Sequence, residues 1–589
     1  MRSLRPASIL LTSILAFCTC APTVNKGAPV IPPDGWVVRS PSGVVTVQVR
    51  GCSLGGTANY PTEPRLYYRV TLGDTEMVRW SPLGITRQDA DFTDDLRYLG
   101  ESQRQVTDDY ILPRGKRSHF RNTGLEKTLS FQTPQKVRMD LVVRAYDDGL
   151  AFCYHFPEIS AAQFVVTGET TGFRFAPGTR ATLLPQYAPG TSQSLGEWMT
   201  DLPAGTAAPA GAGWALPALF SSADGARWAL LAESGLAAGN AVFGLAGKTD
   251  DEIYRFRFPH PDEEAGRGDV QPHSTLPLAT PWATPWRVMI LSARLAGIVE
   301  SSLATDLGEP DLVGAGDWVR PGNLVIGEAA GKRVELPDAP GDVAALPLVE
   351  FSVGGLMGVR VAVSASGKPD VVSSLLGLLE ETKRRHLLVE FEGRIPGAGW
   401  DRTFPNLLSG TTWRSGSIDG ARQARQNLFD PFTRNVVAPM QPMPVAFVEQ
   451  ARRSPMTWGH ELGLTVVFES GLRRFVDDGP NQVADLLLDL PSAWDETRLL
   501  DGVPGHTVII ARRKDRIWYV GGLNGDATAK TRAVPLELLG TGTFNMALLA
   551  DGLGETDLVL TQRQRNATDV QGIKMAPYGG FLMRLVPEH

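Results

Sequence analysis

From Val44 to about Trp286 apolar residues recur at every second position, and that period decides what the first half of this chain can become. Val45, Val47 and Val49 alternate with polar residues, as do Val137, Met139, Leu141 and Val143. A step of two puts one apolar row on one face of an extended strand, whereas a helix needs steps of three and four. Turn signals such as Asp147-Asp148-Gly149 and Ala176-Pro177-Gly178 interrupt the runs. The 62 Gly and 43 Pro residues supply the turns that so many strands demand. The pattern predicts a large N-terminal β-sandwich over residues 36–317.

Residues 318–493 carry a different pattern. Leu324-Val325-Ile326 reads as a short buried strand, Leu348 to Leu356 as a helix and Val359 to Val363 as a strand. An amphipathic helix from Val371 to Lys383 follows, then the strand Leu387-Leu388-Val389. Strands alternating with helices imply parallel pairing through βαβ units. A complete (β/α)₈ barrel takes ~250 residues, so this segment predicts a shortened, barrel-type domain. Period-two alternation returns after Asp495. It runs through Thr507–Ala511, Ile517–Val520, Val534–Leu538, Phe544–Leu549, Leu558–Leu560 and Phe581–Leu585. That predicts a small C-terminal β-sandwich over residues 494–589. The fold class is therefore multidomain, mixing α+β and α/β organisation.

Arg2 and Arg5 precede an apolar run, Ile9 to Phe17, and then small residues. Residues 1–20 have the shape of a secretory signal and are too short to span a bilayer. Leu15-Ala16-Phe17-Cys18 approaches a bacterial lipobox, with Phe17 where a small residue is wanted. Simple cleavage and a lipid anchor at Cys18 or Cys20 both stay open, and the anchor is the one membrane association expected. The protein is placed outside the cytoplasm, as a periplasmic, surface or secreted protein. Its 57 Lys and Arg against 64 Asp and Glu give a net charge of -7, with no dense basic stripe, which sets nucleic acid aside. Cys52 and Cys153 are left to pair in an oxidising compartment or to act as small core residues. The eight His residues show no HExxH spacing, and Gly327 to Lys332 lacks the spacing of a phosphate loop.

Several segments together are more specific than periodicity. Arg402-Thr403-Phe404-Pro405-Asn406-Leu407 precedes Pro431-Phe432-Thr433-Arg434-Asn435-Val436-Val437 and Pro439-Met440. Phe468-Glu469-Ser470-Gly471-Leu472, Trp494-Asp495-Glu496-Thr497 and Ile510-Ala511-Arg512-Arg513 follow. Upstream, Leu112-Pro113-Arg114-Gly115-Lys116-Arg117, Tyr146-Asp147-Asp148-Gly149 and Thr284-Pro285-Trp286-Arg287 stand in matching order. In this set the chain resembles glycoside hydrolase family 97 over nearly its whole length after the signal.

The resemblance implies a large β-sandwich, a central (β/α)₈ barrel and a C-terminal β-sandwich. It also implies exo-action on α-glucosidic or α-galactosidic linkages of oligosaccharides or polysaccharides, with calcium beside the catalytic carboxylates. Hydrolysis of a glycosidic bond ordinarily uses two carboxyl groups, and calcium takes six to eight oxygens. Counting from Arg402, a metal-ligand position falls on Thr411 and the general-acid position on Ser417, neither a carboxylate. The ligand normally lent by the N-terminal domain matches Gln186 before Tyr187, with Glu197 or Glu233 as alternatives nearby. Glu392, four residues before Pro396, stands where inverting members keep a base that also ligates the metal; its plainer reading is a solvated strand end. The stretch that carries further barrel strands and carboxylates is missing between Ser364 and Val371.

Trp400 and Trp413 are candidates to stack on a sugar face, or to pack. Arg402 is a candidate substrate contact, although it and Arg434 also read as residues that hold loops. Asp495 and Glu496 read as a domain-junction pair. Three readings follow: a diverged glycosidase using Glu390, Glu392, Asp401 or Asp419, a pseudoenzyme that binds sugar without turnover, and a structural or partner-binding surface protein. The missing acid and metal ligands imply weak or absent calcium and impaired catalysis.

Overall fold

The computed structural model describes residues 34–588, apart from 55–59, 61–62, 188–195, 211, 248–251, 259–274, 312–317, 326–332, 335–347, 354, 364–366, 412–418, 449–452, 477–482, 484–485 and 488–489. The signal segment with Cys18 and Cys20, the Ser364 junction, Trp413 and Ser417 lie outside the described residues, as does Gly327 to Lys332.

The N-terminal alternation builds two antiparallel layers. A four-stranded sheet (Trp36–Arg39, Val45–Cys52, Arg65–Leu72, Thr75–Pro82) covers a larger sheet that includes Arg138–Tyr146, Gly149–Phe164, Trp228–Ser234 and Trp286–Ser292. Val45, Val47 and Val49 point inward and meet Met139, Leu141, Val143 and Phe152 of the other layer in one core. The opposite face of the large sheet is also covered at its central strands. Ala151, Leu230, Ala232, Val288 and Ile290 pack against Ile298, Leu303 and residues of the central segment. Burial on both faces explains why the run Trp228 to Ala232 in the strand Trp228–Ser234 is continuously apolar rather than alternating. Cys52 and Cys153 are both free thiols, and Cys153 sits in the buried sheet, where burial pushes its thiol up to about 12.

The central segment is α/β. Leu356–Ala362, Leu388–Glu392 and Leu407–Gly410 pair in parallel. Parallel bridges join Gly410 to Met440 and Val445 to Phe475. Leu472–Phe475 then pairs in parallel with Gly322–Val325, which lies against the Leu348–Val353 strand. Phe351, Leu388, Leu408 and Leu472, from strands around this array, share one small interior cluster that Leu324 joins. The helix Pro369–Arg384 covers the outside. Its Val372, Leu375, Leu378 and Leu379 form a stripe at three- and four-residue spacing against Val359, Val361, Val389 and Phe391. Pro369 at its start and Lys383 and Arg384 in its last turn fit the helix ends.

One expected helix is a strand. Leu348–Val353 pairs antiparallel with Leu356–Ala362. Leu348 and Phe351 are buried within it, and Gly355, at φ +78°, lies in the turn that follows. β-Branched and aromatic residues at Val349, Phe351 and Val353 favour the pleated surface. The array holds antiparallel as well as parallel pairs, so parallel βαβ units do not account for all of it.

The C-terminal region forms a six-stranded antiparallel sheet, from Glu496–Val503 to Gly580–Pro587, with a two-stranded layer of Lys530–Pro535 and Val570–Met575 over a common core. The strand expected at Val534–Leu538 ends at Pro535, and Leu536–Leu539 is a 3₁₀ turn. The sheet's other face carries the helix Trp458–Val467. There a Cβ on Gly463 would stand 2.6 Å from the Gly522 carbonyl, so only glycine permits the approach.

The loop Leu112-Pro113-Arg114-Gly115-Lys116-Arg117 stitches the regions together. Arg114 faces Asp401 at 3.5 Å. Lys116 Nζ donates to the Ser301 and Val436 carbonyls at 2.8 and 2.9 Å, and Gly115 bridges Ala493. Asp495 joins the junction, accepting from Ser118 Oγ at 3.0 Å and pairing with Lys514 at 3.2 Å. Glu496 pairs instead within the C-terminal sheet, with Arg498 and Arg513.

Candidate functional site

The carboxyl ends of the parallel strands meet the N-terminal sheet across a narrow cleft. One wall is Gly393 to Pro396 after the Leu388–Glu392 strand, with Gly410 and Thr411 after Leu407–Gly410. The other wall includes Leu216, Pro217 and Glu233 of the N-terminal sheet, and Arg434 closes a third side. Backbone contacts fix the walls together: Ser234 bridges Ala398, and Ser234 Oγ donates to the Ala398 carbonyl at 3.1 Å.

Glu233 is the carboxylate that the N-terminal sheet brings here. It lies opposite Arg287 on the neighbouring strand and is 8% exposed. Phe243 N donates to Oε2 at 3.1 Å, while Oε1 has no partner. Burial pushes its carboxyl up to about 8, outweighing the pull of Arg287 and Arg394. It is therefore largely a neutral proton donor at pH 7. The signal was in the sequence, as a lone carboxylate in the otherwise apolar Trp-Ala-Leu-Leu-Ala-Glu run.

A pH effect follows. The folded state holds this proton after the unfolded chain, with its ordinary value of 4.5, has released it. The stabilisation is complete below pH ~4.5 and is lost as pH rises toward ~8, a matter of a few kcal/mol at ~1.4 kcal/mol per unit. Glu233→Gln is expected to flatten the fall in melting temperature between pH 5 and 8. An unchanged slope in calorimetry would mean that another group carries the titration.

The two guanidiniums in the cleft differ in their support. Arg434 Nε donates to Asp430 at 2.7 Å, and its Nη1 is buried without a partner. Arg394 makes no hydrogen bond or ion pair among the described residues. Burial and the nearby Arg434 lower it to about 10.

The residues singled out in the sequence fall in several places. Thr411 lines the cleft, but its hydroxyl donates to the Pro442 carbonyl at 3.2 Å. Glu392 is half-buried at its strand's carboxyl end, one residue before the lining run; the two-residue period puts it on the inner face with Leu388 and Glu390. Gln186 pairs opposite Gly213 and does not line the cleft. Trp400 is 2% exposed and donates its indole N–H to the Leu236 carbonyl at 2.7 Å, leaving no face for a sugar. Arg402 reaches Asp108 at 2.9 Å and stacks over Tyr110, tying the N-terminal sheet to the central segment rather than lining the cleft. Glu390 is paired with Arg360 and Arg474, Asp401 with Arg114, and Asp419 caps the Gly420–Gln426 helix. Glu197, 65% exposed, pairs with Arg422.

Calcium does not fit this donor set. Among the described residues no group of three or more His, Cys, Asp or Glu side chains is placed to hold a metal ion. The cleft presents two guanidiniums where a dication would need several oxygens.

Comparison with known proteins gives these contacts a family. Residues 38–310 match the profile described as glycosyl-hydrolase 97 N-terminal, and residues 493–586 match glycosyl-hydrolase 97 C-terminal, oligomerisation. The chain is 28% identical to a probable retaining alpha-galactosidase of Streptomyces bingchenggensis, covering 98% of this chain and 95% of that one. It is 21% identical to the retaining alpha-galactosidase of Bacteroides thetaiotaomicron, covering 88% and 94%. Its fold matches a β-arabinopyranosidase structure with a TM-score of 0.78 and 22% identity, covering 93% of this chain and all of the other. A family 97 enzyme from Pseudoalteromonas sp. strain K8, in complex with acarbose, matches with a TM-score of 0.75 and 17% identity, covering 94% of this chain and all of the other. With both flanking regions matched and its relatives aligned nearly end to end, the chain belongs to glycoside hydrolase family 97.

Proposed function

We propose that this is an exported α-glycoside-recognising protein of the glycosidase type, acting on α-galactosidic or α-glucosidic linkages with much reduced turnover. The observation that carries the reading is the cleft between the N-terminal sheet and the carboxyl strand ends, where Glu233 stands as a buried, largely neutral carboxyl. Alpha-galactosidases among its relatives, and the acarbose and panose complexes of the Pseudoalteromonas enzyme, support a saccharide ligand. We read the central region as a (β/α)₈-type barrel that has lost units, bounded near residues 318 and 493 by the two sandwiches.

Glu233 is the group suited to protonate a departing oxygen, since an acid works best with a value near the operating pH. Glu392 is the candidate to take a proton from water. Thr411, whose hydroxyl is spent on a backbone carbonyl, supports the second reading, a pseudoenzyme that binds without turnover. Calcium is left out of the scheme.

The test is hydrolysis of p-nitrophenyl α-galactoside and α-glucoside, alongside melibiose and maltose. Glu392→Gln should lower kcat by roughly 10²–10⁴ on both kinds of substrate. Glu233→Gln should act mainly on the disaccharides, because nitrophenolate leaves without help from an acid. Turnover unmoved by either substitution would remove both assignments. No turnover, with binding retained in calorimetry, would establish the pseudoenzyme. The Arg2 to Cys20 segment supports export, and palmitate labelling that disappears in Cys18→Ser or Cys20→Ser would identify an anchor.

A further inference from the structure

The charge of the cleft says more about the ligand than its shape does. Arg394 and Arg434 both line it, and burial together with the nearby Arg434 weakens Arg394's hold on its proton. Asp430 answers Arg434 through Nε alone, leaving Nη1 buried and unpartnered. No hydrogen bond or ion pair engages Arg394 among the described residues. Glu233, the carboxyl on the facing wall, is held largely neutral by burial and does not balance the pair. Thr411 has its hydroxyl on the Pro442 carbonyl. The remaining wall is apolar: Leu216, Ile395, Val437 and Met440. Asp430 pairs with Arg434 at 2.7 Å, so the cation of this partly closed space that has no ion-pair partner among the described residues is Arg394, and sugar hydroxyls alone supply no counter-ion.

We propose that the cleft takes a glycan residue bearing an anionic group, a uronate carboxylate or a sulfate ester, seated between Arg394 and Arg434. Guanidinium forks match the paired oxygens of either anion, and the apolar wall suits the sugar ring. Glu233 Oε1, buried in the wall of the same cleft without a hydrogen-bond partner, is the acceptor or donor left for a ring hydroxyl that reaches that wall. The inference rests on the reading of this cleft as the glycoside site and narrows it to acidic sugars.

Three matched probes test it on the mature full-length protein by calorimetry: methyl α-galactoside, its 6-sulfate and the corresponding methyl α-galactosiduronate, each repeated in the gluco series. At least one acidic probe should bind tenfold or more tighter than its neutral parent at 50 mM salt, and whichever does so identifies the anion. The preference should shrink as salt is raised. Arg394→Met should cost the acidic probe about thirtyfold or more and remove its advantage over the neutral parent. Arg394→Lys should recover part of the loss, since it keeps the charge without the fork. If Arg394→Met melts early, the salt dependence of the wild type and the Arg394→Lys result still decide. Neutral probes binding as well as the acidic ones would overturn the anion site while leaving the glycoside cleft standing. Failure of every probe to bind would overturn both.

Discussion

Arg287→Met is expected to destabilise the fold by about 3–5 kcal/mol, the range for removing one partner of a buried ion pair. Arg287 is 1% exposed, and its fork meets Glu169, with Nε to Oε1 at 3.0 Å and Nη2 on Oε2. The guanidinium also lies over the Phe243 ring at 4.4 Å, so methionine would fill some of the space but answer none of the charge. Glu169 would then have to be buried ionised without a partner, or take up a proton; either costs free energy at pH 7. For a region of this size the melting temperature should fall on the order of ten degrees. The double variant Arg287→Met with Glu169→Leu should recover most of that loss, because the orphaned charge is gone. A single variant that melts within two degrees of wild type would show that the pair contributes little. The site should feel the change as well. Arg287 is the largest charge holding Glu233's value down, so its loss should move Glu233 further up and weaken any acid role at neutral pH.

The second large effect concerns Glu390, inside the central strand array. Its Oε2 accepts from Arg360 Nε at 2.6 Å and its Oε1 from Arg474 Nη1 at 3.1 Å, with the carboxylate 1% exposed. Glu390→Leu would leave two guanidiniums facing each other in the interior, again at a cost of about 3–5 kcal/mol. Replacing all three, as Arg360→Leu, Glu390→Leu and Arg474→Met, should come close to neutral, because burying the charges costs about what their attraction returns. Glu392→Leu, two residues along the same face, should change stability by less than ~0.5 kcal/mol, since no described partner depends on it. Thermal melts of the three proteins rank the carboxylates directly. If Glu392→Leu melted as early as Glu390→Leu, Glu392 would be a structural residue and its assignment as a base would fall.

The strands were legible where one face is buried and the other wet. Val45, Val47 and Val49 announce their side of the sandwich, and the stripe on Pro369–Arg384 announces that helix within two residues of each end. Leu348–Val353 was misread because a run that mixes Leu, Val, Glu and Phe fits either period over so short a length. The antiparallel partner that settles it, Leu356–Ala362, is visible only as paired backbone. Trp400 was open to either reading in the sequence. Its indole partner, the Leu236 carbonyl, lies 164 residues away in the chain, and no local pattern carries such a contact.

By itself the sequence determined the layers and the family motifs, because period, turn chemistry and motif spacing are local properties of the chain. Tertiary structure alone decided which charges share the cleft. Glu233, Arg394 and Arg434 come from three separate segments, and their burial and mutual field exist only once the N-terminal sheet is docked on the strand ends. Electrostatics at that range depends on distance and desolvation, neither of which is written in residue order.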